Sequence, residues 1–119
     1  LVAYLFTLPL PPPLSAAREE PHDPEVLRGK LLFHKLGCNE CHRPPLFTSP
    51  DEYDVGFEDE SGLRKFNPPT LHGVSQRDHF FHDGSAGSLK EVLDSAGHPD
   101  GGGLTSSQVS RLVAYLRTL

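Results

Sequence analysis

Both cysteines of this 119-residue chain lie in one short run, Cys38-Asn-Glu-Cys41-His42. Thiols three apart and a histidine four from the first share one side of a helical turn. A structural zinc site would need two further ligands, from a second cysteine pair or from spaced histidines. No second pair exists, although His72, His79 and His82 could supply nitrogens. A thioredoxin-like pair belongs in a strand–helix–strand context, of which the chain shows no sign. A histidine directly after the second cysteine points instead to one covalently attached haem c: the thiols add to its two vinyl groups and the imidazole binds its iron. A plain disulfide between Cys38 and Cys41 is the remaining alternative.

The rest of the composition agrees with a buried cofactor. Hydrophobic residues make up 36% of the chain, beside 12 prolines and 11 glycines. That is a thin core for one small domain, and a haem would supply apolar volume. The net charge of −5, made more negative by two haem propionates, argues against nucleic acid or an anionic membrane as partner. No run reaches the ~20 apolar residues of a membrane helix. Leu1 to Leu8 is apolar but lacks the positively charged lead of a signal peptide. The chain has no methionine, not even at its start, so it is expected to be a processed or excised piece of a longer protein.

Leu1–Leu8 reads LVAYLFTL and Leu112–Leu119 reads LVAYLRTL. Seven of the eight positions agree, as tandem copies of one unit would. Residues 1–22 are therefore expected to be the tail of a preceding domain plus a linker, stiff over Pro9 to Pro13; residues 23–119 are the domain proper. Asp23 is a helix N-cap with Pro24 at the first helical position. The helix it opens has Val26, Leu27, Leu31, Leu32 and Leu36 as its apolar set and ends at Gly37. Arg43 to Asn67 reads as a long surface loop, and Pro69 to Ser75 as a short helical turn. Ser88–Glu91 and Thr105–Gln108 are capping boxes. The first opens a short helix ended by Gly97; the second opens a last helix with Val109, Leu112, Val113 and Leu116 on its apolar face. No alternating strand pattern stands out, so the fold class is all-α.

From Asp23 onward the chain resembles a class I cytochrome c domain: N-terminal helix, CxxCH, loop, and a last helix with an L-x-x-Y pattern. The resemblance implies a crossing of the two long helices through Gly29 and Phe33 against Leu112 and Tyr115. CHRPPLFT, Tyr53-Asp-Val-Gly56, FNPPTLHGV (66–74) and FFHDGSAGSLKEVL (80–93) narrow it. These look like the C-terminal, electron-transfer domain of bacterial di-haem cytochrome c peroxidases and related di-haem oxidoreductases. Haem c attachment in such proteins implies a periplasmic or otherwise extracytoplasmic location.

Small cytochromes c usually place a methionine on the far side of the iron, from the loop before the last helix. Here that loop is Ser95 to Gly103, and His98 is its one strong ligand. The expectation is bis-histidine ligation by His42 and His98. The alternatives are a vacant site, His72, His79, His82, Tyr53 or a lysine. By the same resemblance a carbonyl at Pro44 or Pro45 would accept the Nδ1 proton of His42. Arg64, Lys65 and Arg77 are candidates to pair with propionates. Leu46, Phe47, Phe66, Leu71, Val74, Phe80, Phe81, Leu89 and Leu93 are candidates to pack on the porphyrin. The functional expectation is electron transfer, to a redox partner protein or an adjacent haem domain of the same parent chain. A peroxidase-like domain with an open iron is the alternative, and a sensing domain a third.

Overall fold

The structure, a computed structural model, describes residues 1–9, 22–56, 58–94, 98 and 103–119. In chain order its elements are α1 (Val2–Leu5), α2 (Pro24–Lys35), α3 (Cys38–Cys41), β1 (Tyr53–Asp54), β2 (Lys65–Phe66), a 3-10 turn (Val74–Gln76), α4 (Leu89–Leu93) and α5 (Ser106–Leu116). Its regular structure is mostly helical. The all-α expectation missed β1 and β2, which pair antiparallel with Tyr53 opposite Phe66 and Asp54 opposite Lys65. Strands of two residues are too short to show an alternating pattern. The expected linker, Gly97 and most of the Ser95–Gly103 loop lie outside the described residues.

α2 begins as its sequence dictates. The Asp23 carboxylate accepts from the Glu25 amide at 2.7 Å, and Pro24 occupies a position where no amide is needed. Leu36 caps its end and Gly37 follows at φ 74°, the left-handed turn that glycine makes without steric cost. The buried residues of α2 are Gly29 and Phe33, with Val26 and Leu32 packed at the edge. Leu27, Leu31 and Leu36, expected on the apolar face, are exposed, Leu31 by 71%. The helix carries leucine on several sides, so the contact face is set by where another helix can approach.

That approach is made by α5. Its N-terminus carries the full capping box, Thr105 and Gln108 each accepting the other's backbone amide. Val109, Leu112, Tyr115 and Leu116 are buried, and Val113 is half-buried at the edge of the same cluster. A methyl group on Gly29 would overlap the Arg111 carbonyl and lie 2.8 Å from Tyr115 Cβ. The two backbones therefore touch, and the Phe33 and Tyr115 rings meet edge to face at 5.5 Å. Arg111 Nε donates to Glu25 at 2.8 Å across the same interface.

The other elements are short. Ser88 Oγ accepts from the Glu91 amide at 3.2 Å, but Glu91 returns to the amide of Gly87 (2.6 Å), one residue before the cap. The helical turn expected over Pro69 to Ser75 is a 3-10 turn at Val74–Gln76. α1 holds the residues that repeat α5, yet Leu1, Tyr4 and Leu5 are exposed whereas Leu112, Tyr115 and Leu116 are core.

Gly29→Ala should gain about 1 kcal/mol of helix propensity and lose more to overpacking at the crossing, about 1–3 kcal/mol or above. A net fall in the denaturant midpoint is expected; an unchanged midpoint would show that the backbones do not touch there. Arg111 and then Arg28 hold the Glu25 carboxyl below its ordinary pKa of 4.5. The folded state then binds fewer protons than the unfolded one, so this contribution is present above pH 4.5 and lost as pH falls through the lowered value. Both partners are substantially exposed, so the effect is small. In thermal melts Glu25→Gln should show a shallower acid loss of Tm than the parent protein.

Candidate functional site

Gly37 leads directly into α3, a single turn with Cys38 and Cys41 at its ends. The His42 amide closes the turn onto the Cys38 carbonyl at 3.0 Å. The His42 side chain is buried, at 8% exposure, and its Nδ1 meets the Phe47 carbonyl at 3.1 Å. A carbonyl only accepts, so Nδ1 carries the proton and Nε2 the lone pair. Burial pushes the His42 pKa below the usual imidazole value, against the opposing pull of the Phe47 and Pro69 carbonyls. The ring is therefore neutral at neutral pH, as a metal ligand must be. The acceptor is not Pro44 or Pro45, as expected from the sequence. The chain turns through a left-handed conformation at Phe47, φ 51°, and the carbonyl of this residue is the one that meets the ring.

His98 arrives from the far end of the chain. Its amide donates to the Val92 carbonyl at 3.1 Å, which ties it to α4. Its half-buried ring lies 6.3 Å from that of His42, centroid to centroid, with the planes crossed at 75°. With metal–nitrogen bonds of about 2 Å, two axial imidazoles on one iron hold their centroids roughly 6 Å apart. The donor set and this spacing fit a haem iron. Phe81, itself at φ 66°, stands 6.2 Å from His98 on another side.

The alternative ligands are engaged elsewhere. His72 Nε2 meets the Pro45 carbonyl at 2.8 Å, His79 meets Asp78 at 2.8 Å, and His82 stacks on Phe66 at 4.7 Å. Among the described residues no three His, Cys, Asp or Glu side chains converge on a metal position. Burial, with the neighbouring Cys41 thiol, raises the Cys38 pKa, whereas a redox-active cysteine pair needs it lowered.

The packing candidates divide. Leu71, Val74 and Leu93 are core, Phe47, Phe80 and Leu89 pack against it, and Leu46 is 54% exposed. Arg64 is bound by Asp54 at 3.2 Å and Glu58 at 3.7 Å, and Arg77 donates to the Thr70 carbonyl at 3.0 Å. Asp54 ends the two-residue strand β1, and Glu58 and Thr70 lie outside any helix or strand, where spacing carries no contact information.

One cluster was missed. The Tyr53 hydroxyl receives Arg43 Nη2 at 3.0 Å and lies 3.2 Å from Ser49 Oγ, 3.4 Å from Asp51 and 3.5 Å from the Glu40 carbonyl. Arg43 Nε also donates to the Glu40 carbonyl at 2.9 Å. β1 is thereby fastened to the CxxCH turn. A tyrosine beside an acidic loop gave no sequence signal of this.

No protein-family model matches the chain. Cytochrome c551 peroxidase of Nitrosomonas europaea is 27% identical over 113 aligned positions, covering 80% of this chain and 34% of that protein. Methylamine utilization protein MauG of Methylorubrum extorquens is 37% identical over 85, covering 59% and 24%. Among solved structures, a chain of Kuenenia stuttgartiensis hydrazine synthase superposes over the whole of this chain and 54% of its own, with a TM-score of 0.78 at 22% identity; that likeness is one of fold. The chain thus spans a third or less of the curated relatives it matches. The likeness to a haem domain of the cytochrome c peroxidase kind, read from the motifs, stands.

Tyr53→Phe removes the hub between Arg43, Ser49 and Asp51. A loss of about 0.5–1.5 kcal/mol in unfolding free energy is expected, with the rest of the fold unchanged by circular dichroism.

Proposed function

We propose that this cytochrome c-like chain is an electron-transfer domain that carries one covalent haem c and forms part of a larger multi-haem protein. The observation that carries the reading is the approach of the His42 and His98 rings to 6.3 Å, centroid to centroid. When bound, the haem supplies an iron that cycles between two oxidation states. Cys38 and Cys41 would anchor it as thioethers, and neutral His42 and His98 would hold its iron, which would leave no position there for a small molecule. A closed site favours electron exchange over chemistry on a bound substrate. Replacement of the usual methionine by histidine lowers the reduction potential.

The partner is a redox protein or an adjacent haem domain of the same parent. The second option draws support from α1. Its Leu1, Tyr4 and Leu5 match residues that α5 buries, and they are exposed here. We read residues 1–22 as the end of a preceding domain of the same kind with its linker. Haem c attachment places the protein outside the cytoplasm. No helix among the described residues is long and apolar enough to cross a membrane.

The peroxidase-like alternative draws on the name of one relative, the cytochrome c551 peroxidase. In that reading this domain would itself keep an open iron position for peroxide.

The deciding measurement is the absorption and electron paramagnetic resonance of the haem-loaded protein and of His98→Ala. The parent should be six-coordinate and low-spin, with the strongly anisotropic ferric signal of crossed imidazole planes. His98→Ala should become high-spin. An unchanged low-spin spectrum in the variant would exclude His98 as ligand, and peroxide turnover by the unaltered domain would decide for the catalytic reading.

A further inference from the structure

Five consecutive residues, Pro45 to Ser49, follow the turn that carries His42, and each is held by at least one side-chain hydrogen bond. The Pro45 carbonyl accepts from His72 Nε2 at 2.8 Å. That of Leu46 accepts from Thr70 Oγ1 at 2.5 Å, and that of Phe47 from His42 Nδ1 at 3.1 Å. Thr48 Oγ1 donates to the Pro68 carbonyl at 2.5 Å, and Asn67 Nδ2 donates to the Ser49 carbonyl at 2.6 Å. Apart from His42, and from Tyr53 at the Ser49 hydroxyl, every partner belongs to one stretch, Asn67 to His72. Two irregular segments are thus clamped by side chains, residue by residue.

The centre of this clamp is the acceptor for His42. Phe47 sits at φ 51°, a conformation that a bulky residue adopts only where its surroundings impose it. His72 acts on it twice, through the carbonyl two residues before and through an edge-to-face contact with the Phe47 ring at 5.4 Å and 83°. Thr70 is itself held from behind, its carbonyl accepting from Arg77 at 3.0 Å.

We propose that His72 is a positioning residue for the axial histidine: together with Thr70 it fixes the Phe47 carbonyl that orients and polarises His42. The proposal rests on His42 being the iron ligand. A carbonyl that accepts the Nδ1 proton raises the basicity of Nε2 and sets the ring's rotation. A more basic ligand favours the oxidised metal. Loosening the clamp therefore lengthens the His42–Phe47 bond, lowers that basicity and raises the reduction potential.

The test compares haem-loaded wild type with His72→Phe, which keeps an aromatic ring but no donor, and His72→Gln, whose amide nitrogen replaces Nε2. The readouts are the midpoint potential, the low-spin g values and the His42 Nδ1 proton resonance with its solvent-exchange rate. Expected are an upward potential shift, altered g values and faster exchange in His72→Phe, with return toward wild type in His72→Gln. Thr70→Val should move all three in the same direction, and Thr70→Ser should restore them. Should His72→Phe fail to take up haem, the Thr70 pair decides on the same readouts. A folded His72→Phe with wild-type potential and exchange would overturn the proposal, as would a His72→Gln shift as large as that of His72→Phe. A wild-type spectrum without an axial imidazole would overturn the ligation reading and this one with it, before any variant is compared.

Discussion

The contact between the backbones of α2 and α5 at Gly29 is the constraint on which the rest depends. No side chain fits between Gly29 and the Arg111 carbonyl, so two helices far apart in sequence pack at the smallest separation available to them. That closeness lets Phe33 meet Tyr115 and brings Leu112 and Val109 to almost complete burial. It also fixes the direction in which the chain leaves α2. Gly37 reverses the path within one residue, and the CxxCH turn follows with no slack. The position of His42 is therefore inherited from the crossing.

The opposite side of the site is built from loops. Long loops in small domains need internal partners, and here they have them. Asp59 Oδ1 gathers Ser61 and Leu63 amides, Tyr53 gathers Arg43 and Ser49, and Asn67 to His72 clamps Pro45 to Ser49. Apart from those of Tyr53, these are bonds between side chain and backbone, each worth about 1 kcal/mol net, and their number rather than their strength gives the wall its definition. Among the described residues, the two non-glycine ones with left-handed backbone, Phe47 and Phe81, both stand next to the paired histidines. Strain is concentrated where position matters.

The chain spans about a third or less of its curated relatives, and the residues proposed to hold a haem and to support His42 all fall between Cys38 and His98. Its acidic surface and its thin apolar core are consistent with a domain whose largest apolar group is the cofactor. The exposed apolar face of α1 contrasts with this. Its near-copy in α5 is buried, so what separates the two is the presence of a Gly29-like helix to receive it.

How much was legible in the sequence follows from the range of the interactions involved. The caps at Asp23, Ser88 and Thr105, the left-handed Gly37 and the CxxCH turn are local, and the residues that make them lie within four positions of each other. The Gly29–Tyr115 crossing was legible by resemblance rather than by periodicity. What the sequence did not reveal is of longer range. Leu27 and Leu31 are as apolar as Leu32, and only the approach of α5 decides that they stay outside. Arg64 carries its charge without announcing that Asp54 and Glu58 pair with it. The His42 acceptor was expected at Pro44 or Pro45, because nothing in CHRPPLFT announces that Phe47 turns left-handed. The amino-acid sequence by itself determined the chemistry of the site, two thiols and an imidazole on one turn. The histidine expected to face it, His98, was also legible, from its place in the loop before the last helix. Only the tertiary structure decided which carbonyl holds the His42 imidazole, because the left-handed turn at Phe47 is imposed by contacts between segments that no local pattern encodes.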